Sequence, residues 1–158
     1  MFLPKDRALL FFMFLLIQTI LPAQGGIGGT GNFIPEENDP VNLVGLTLGE
    51  LLGRFGTPRS VYAARGIEEW QDDVVFVYDE GDFYVYKDRV WQAGLKEAHG
   101  IKAGDSRAVV SLVLGQAAED RGDSIYCPLE VKGWPLMLRY VFDREGRLHM
   151  IFIYRTDF

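Results

Sequence analysis

The feature that most limits how this chain can fold is a unit that occurs twice. In the first copy Thr47 is placed to cap a helix and Glu50, three residues on, completes a capping box. Leu48, Leu51, Leu52 and Phe55 follow at helical spacing, and Gly56 and Pro58 stop the helix. In the second copy Ser106 takes the capping position, Val110, Val113 and Leu114 form the apolar side, and Gly115 ends it. Gly56 and Gly115 are 59 residues apart. Strand-rich sequence follows each helix. The first copy predicts strands over 74–78, 83–86 and 89–93, with turns at Asp79–Asp82 and Lys87-Asp88. The second predicts strands over 125–131, 135–142 and 148–154, with turns at Lys132-Gly133 and Asp143–Gly146. Val61–Ala64 is a further short strand candidate.

Three strands and one short helix make a thin domain, whereas two such units side by side bury a proper core. The expected fold is therefore α+β: two tandem helix-plus-antiparallel-meander repeats, 43–98 and 99–158, forming one six-stranded sheet with the helices on one face. With 158 residues, 48% hydrophobic and 24% charged, the chain has ordinary globular composition.

The start of the chain reads as an address. Lys5 and Arg7 precede an apolar run, Ala8–Leu21, and Ala23 is a small residue suited to a signal-peptidase cut. The run is shorter than the roughly 20 residues a membrane-spanning helix needs. We expect residues 1–23 to be a signal peptide, with an uncleaved N-terminal anchor as the alternative, and the protein to be exported, periplasmic or secreted. Loss of 1–23 takes the net charge from −6 to −7. No Cys follows the apolar run, which excludes a bacterial lipid anchor on cysteine. Residues 24–42 read as a flexible Gly/Pro-rich leader. Gly26, Gly28 and Gly31 match a dinucleotide-loop spacing, but no strand precedes them and no helix follows.

The short capped helix, the Gly56-Thr57-Pro58 stop, the strand meander and the duplication resemble the β-lactamase-inhibitory-protein-like fold. The single unit is similar to outer-membrane assembly lipoproteins of the SmpA/OmlA (BamE) type, from which this chain departs by lacking the lipidated Cys. The resemblance implies a secreted bacterial binding protein that grips another protein with a concave sheet face.

One sheet face must lie under the helices and the other is left to solvent. Alternation in the last hairpin separates Leu136, Leu138, Tyr140 and Phe142 from Met137, Arg139 and Val141. It separates Leu148, Met150, Phe152 and Tyr154 from His149, Ile151, Ile153 and Arg155. Because a buried unpaired charge is expensive, Arg139, His149 and Arg155 are expected on the wet side. In the first unit Tyr84, Tyr86, Arg89 and Trp91 are expected on the free side, with Val75, Val77, Val85 and Val90 inside. Tyr, Trp and Arg on one exposed face is the composition of an interface hot spot.

Conventional catalytic or cofactor machinery is missing from the sequence. His99 and His149 are the two histidines and have no metal-ligand spacing; both read as surface residues. Cys127 lies in an apolar strand and reads as a buried, inert thiol. The acidic stretch Glu68, Glu69, Asp72 and Asp73 lacks the spacing of a calcium loop. A single Cys excludes an intramolecular disulfide framework, and a pI near 4.9 sets nucleic acid aside as a partner. Arg121-Gly122-Asp123-Ser124 matches an integrin-recognition tetrapeptide. The expected function is a non-enzymatic, exported binding or scaffold protein, with no cofactor and with an envelope or extracellular protein as its partner. Rival readings are a surface adhesin using Arg121, Gly122 and Asp123, a binder of small apolar ligands, and an unrecognised hydrolase.

Overall fold

The computed structural model describes residues 39–66, 72–131 and 133–157. The signal-peptide, leader-glycine and Glu68–Glu69 expectations fall outside those residues. A 3-10 turn, Pro40–Leu43, leads to α1 (Leu48–Phe55). There follow β1 (Ser60–Ala64), β2 (Asp73–Val77), β3 (Gly81–Tyr86), β4 (Arg89–Leu95) and a small hairpin of β5 (Glu97–Ala98) and β6 (Ile101–Lys102). Then come α2 (Arg107–Leu114), β7 (Glu119–Asp120), β8 (Ser124–Val131), β9 (Trp134–Phe142) and β10 (Leu148–Arg155). The molecule is α+β, one antiparallel eight-stranded sheet in the order β1-β2-β3-β4-β10-β9-β8-β7 with two short helices. Six strands were expected, with Val61–Ala64 as a further candidate; that candidate forms β1 at one end of the sheet, and β7, which was not expected, extends it at the other.

Both helices form where their caps dictate. The Thr47 hydroxyl accepts the Glu50 amide at 3.1 Å, and the Glu50 carboxylate accepts the Thr47 amide at 2.8 Å. That exchange satisfies two of the amides a helix start leaves open. Ser106 Oγ accepts the Val109 amide for α2. Gly56 and Gly115 end the helices at φ of 74° and 66°, a region that side chains other than glycine seldom adopt.

Leu51 of α1 and Val110 and Leu114 of α2 enter one buried cluster with Phe83, Val85, Val90, Leu138 and Ile151. The Phe55 ring lies 5.1 Å from Phe83, and the Arg107 guanidinium sits 4.2 Å over Phe142. Both helices thus cover the same sheet face. Strand register sets that face: Val61, Phe76, Phe83, Ala93, Ile153, Leu138 and Cys127 form one row across it.

Register also corrects several expected orientations. Val75 pairs with Tyr84 and Val77 with Asp82, so both valines point to the face opposite Phe83, not into the helix-side core. Val75 is fully buried all the same, yet it lies outside the main core cluster. Ile151 and Ile153 are fully buried, opposite Tyr140 and Leu138 on the helix side, which leaves Phe152 and Tyr154 on the open side. A register shift between Leu148 and Met150 breaks the simple alternation read from the sequence.

His99 also departs from expectation. It is not a surface residue: its side chain is 12% exposed, in the β5–β6 turn at φ 54°, with Nε2 3.1 Å from the Asp39 carboxylate. Its Nδ1 and the Tyr140 hydroxyl are buried polar atoms without a hydrogen-bond partner. A buried hydroxyl without a partner costs about 1–3 kcal/mol. Tyr140→Phe is therefore expected to raise unfolding stability by roughly 1 kcal/mol, measured by urea denaturation; a loss of stability would contradict it.

Candidate functional site

The sheet face away from the helices carries two rows of side chains fixed by register. One row runs Tyr62, Val75, Tyr84, Gln92, Tyr154, Met137 and Pro128. The next runs Ser60, Val77, Asp82, Gly94, Phe152, Arg139, Tyr126 and Glu119. Tyr84, Gln92, Phe152, Tyr154, Met137, Arg139 and Tyr126 are all half-buried, whereas the opposite face from Phe83 through Tyr140 is fully buried. Among the described residues no helix covers this face, which presents a half-buried, ring-rich surface.

Trp91 joins this face through a β-bulge. Tyr84 pairs with Gln92 and Val85 with Val90, so Trp91 is the extra residue of β4. Its ring stands 6.4 Å from Tyr84 in an edge-to-face arrangement, and its Nε1 donates to Asp73 Oδ1 at 2.9 Å. Gly94 serves the same surface: a Cβ there would come within 3.1 Å of the Phe152 ring, so glycine lets that ring lie across β4.

The electrostatics follow from the rings. Burial pushes the Asp73 carboxyl up, against the hydrogen bond from Trp91, with Asp72 adding to the rise. Burial likewise pushes up the Tyr84 phenol, helped by Tyr62, Asp82 and Asp73. A carboxyl raised in the folded state binds its proton more tightly there than when unfolded. Stability then falls as pH rises from the unfolded carboxyl range through the raised value, and the penalty is complete above it. Asp73→Asn is accordingly expected to melt higher than the parent at pH 7, with the advantage shrinking toward zero as pH drops below the ordinary carboxylate range. Thermal melts across pH 3–7 check this, and a gap that widens toward low pH would contradict it.

At the far end of the second row, two guanidinium groups flank Tyr126. Arg121 lies 4.6 Å and Arg139 5.5 Å from the ring centre. Arg139 Nε donates to Ser124 Oγ at 3.0 Å and its Nη2 to Asp123 at 3.4 Å; Arg121 donates to Glu119 at 2.7 Å. The Gly122 amide donates to Asp120, whose carboxyl is held low by that bond and by Arg107.

Of the residues expected to form the site, Tyr84, Tyr86, Trp91 and Arg139 are on the open face. The other three are on β4 and β10 but stand apart from its rings. Arg89 pairs in register with Tyr86, yet it is exposed at the start of β4, where its Nη1 donates to the Gly45 carbonyl at 2.9 Å beside the start of α1. His149 is exposed at the β10 register shift. Arg155 pairs in register with Leu136 on the other side; it stacks 4.7 Å over Trp134 and binds Asp157. A strand-end arginine can stand on the buried side because its stem reaches past the core to water.

Sequence reasoning missed Tyr62, Asp73, Tyr126, Phe152 and Tyr154. The four-residue Tyr78–Gly81 turn, closed by the Tyr78 amide on the Gly81 carbonyl, fixes the Val77–Asp82 pairing; it would have set Val75 opposite Tyr84 and Asp73 two residues further along the same face. Cys127 is fully buried and burial pushes its thiol up, away from the thiolate a nucleophile needs. Among the described residues no cluster of His, Cys, Asp or Glu could hold a metal ion, and no helix is long and apolar enough to cross a membrane.

No protein-family model matches the chain, and neither does any curated protein. Solved structures do. One is an extracellular protein containing a SCP domain from Bacillus anthracis: TM-score 0.51, 14% identity, 82% of this chain and 50% of that one. Another is a cysteine-rich secretory protein from Staphylococcus aureus: TM-score 0.51, 10% identity, 80% of this chain and 48% of that one. A DUF4309 family protein from Bacillus subtilis aligns at TM-score 0.43 and 15% identity, over 70% of this chain and 78% of that one. The chain thus spans about half the length of the first two, and at this identity the likeness is one of fold. The first two overturn the resemblance to the β-lactamase-inhibitory-protein and SmpA/OmlA folds: a short capped helix followed by a meander is too common a motif to single out one family.

Proposed function

We propose that this chain is an exported, non-enzymatic binding protein that recognises a protein partner through its open sheet face. The observation that carries this reading is the aromatic surface running from the exposed Tyr62 through the half-buried Tyr84, Trp91, Tyr154, Phe152 and Tyr126, with both helices on the opposite side. Large rings supply contact area at little cost in side-chain entropy, and Arg139 at the edge supplies direction. The apolar run at Ala8–Leu21 supports export. So do the extracellular and secretory descriptions of the two proteins that share the fold.

Duplication is the second part of the proposal: each half is one helix followed by four strands. Thr47 bridges to Arg89 before α1 and Ser106 to Arg147 before α2, an equivalence that supports a tandem origin. In this reading β4 and β10, neighbours at the centre of the sheet, join the two halves into one continuous face.

The adhesin reading is weaker on geometry. Arg121 is engaged by Glu119 and Tyr126, and Asp123 by Arg139, so both charged ends of the Arg-Gly-Asp loop are bound within the chain.

The test is affinity capture with in-cell crosslinking, comparing the tagged protein with a Tyr84→Ala/Trp91→Ala variant shown by circular dichroism to be folded. One envelope or extracellular protein enriched by the parent and lost from the variant is the expected result. The same captured set for both forms, or none, overturns the proposal.

A further inference from the structure

We infer that β1 is a strand-addition site for an extended peptide segment of another protein, one with an acidic residue at each end of a short uncharged run. This does not depend on the open face being the partner surface. Strand order leaves β1 at one end of the sheet and β7 at the other. The two edges are built differently. β7 is two residues long and both are charged, Glu119 and Asp120, the usual protection of an exposed edge. β1 is five residues, Ser-Val-Tyr-Ala-Ala, with no charge, no proline and an unbroken register against β2. Among the described residues no strand pairs with its outer edge, whose backbone donors and acceptors are the template that strand addition uses. Val61 and Tyr62 remain 49% and 47% exposed, and Val74 beside them on β2 43%.

The occupant follows from charge. Arg59 and Arg65 flank the strand with side chains 69% and 81% exposed, held by Asp79 and, at 4.0 Å, by Asp72. A second copy pairing antiparallel about Tyr62 would set Arg59 opposite Arg65 of its mate at both ends, and like charges directly opposite are destabilising. An antiparallel heptad with carboxylates at its first and last positions meets both guanidinium groups instead, and its central side chain lies beside Tyr62.

The test uses the full-length chain, isotopically labelled, at low salt. It is titrated with the heptapeptide Glu-Thr-Val-Tyr-Val-Thr-Glu and with its counterpart carrying Lys at both ends. Expected are saturable amide shifts and slowed hydrogen exchange along β1 with the acidic peptide, roughly tenfold weaker with the basic one. The two exposed substitutions Arg59→Glu and Arg65→Glu together should reverse that order, since opposite-charge pairs become like-charge pairs. The inference is overturned if neither peptide perturbs β1, or if both bind equally to parent and charge-reversed chains. It is also overturned if the shifts centre on Trp91 and vanish in Trp91→Ala, which would assign the peptide to the open face. Sedimentation of the chain alone should give a monomer; a dimer dissolved by Tyr62→Lys would show that a second copy occupies the edge.

Discussion

Phe83→Ala is expected to destabilise the protein by about 3–5 kcal/mol, the range for truncating a buried aromatic residue in a well-packed core. Phe83 is fully buried. Its ring lies 5.1 Å from Phe55 at the end of α1 and 5.6 Å, edge-on, from Tyr78. Tyr78 in turn donates its hydroxyl to the Gly56 carbonyl at 3.2 Å, just past the helix. Removing the ring leaves a cavity under two partners that are themselves tied to α1 and to the β2–β3 turn. The site cannot collapse without moving the helix end, so the higher part of the range applies. Val74→Ala, on the neighbouring strand and 43% exposed, is the control and should cost well under half as much. Guanidinium denaturation measures both through the midpoint; equal effects for the two would show that Phe83 does not anchor α1.

That contrast between adjacent strands marks how far the sequence could be read. Helix positions were legible because their ends are specified by chemistry local to a few residues: Thr47 with Glu50, Ser106, and glycines forced to positive φ. The central strands were legible because β-branched and aromatic runs are separated by the Asp79–Asp82 and Lys87-Asp88 turns. β7 was not. Glu119-Asp120 has no strand composition, and it pairs only because β8 presents a free edge beside it.

Orientation was harder than position. A period of two assigns a face only if no residue is inserted, and β10 and β4 each contain an irregularity, at Leu148/Met150 and at Trp91. Placing charges on the wet side worked for Arg139, in mid-strand. It failed for Arg155, where the sheet ends and a long stem reaches solvent from either face. Phe152 and Tyr154 were assigned away from the open side for that reason. Val75 shows a different limit: its row is the open one, yet it is fully buried on that side, a burial that hydrophobic pattern alone cannot distinguish from the core.

Trp91→Ala should separate binding from folding. If the open face is the partner surface, this substitution removes about 2 kcal/mol or more of binding free energy, roughly a 30-fold rise in Kd. Trp91 has the features of an anchor: a large ring, set by a bulge near the middle of the sheet, edge-on to Tyr84, and oriented by Asp73. The bulge matters because an ordinary strand position would send the side chain at 91 to the helix side, opposite Gln92. Trp91→Phe keeps a ring but removes the indole N–H, so it should recover part of the affinity while leaving Asp73 without that donor. Tyr126→Ala, at the Arg121–Arg139 end of the face, should weaken binding less, as expected of a rim contact beside charged groups. Titration calorimetry against the captured partner, with melting curves alongside, measures both quantities. A Kd unchanged in Trp91→Ala with the fold intact removes the open face as the recognition surface and leaves the β1 edge as the remaining one.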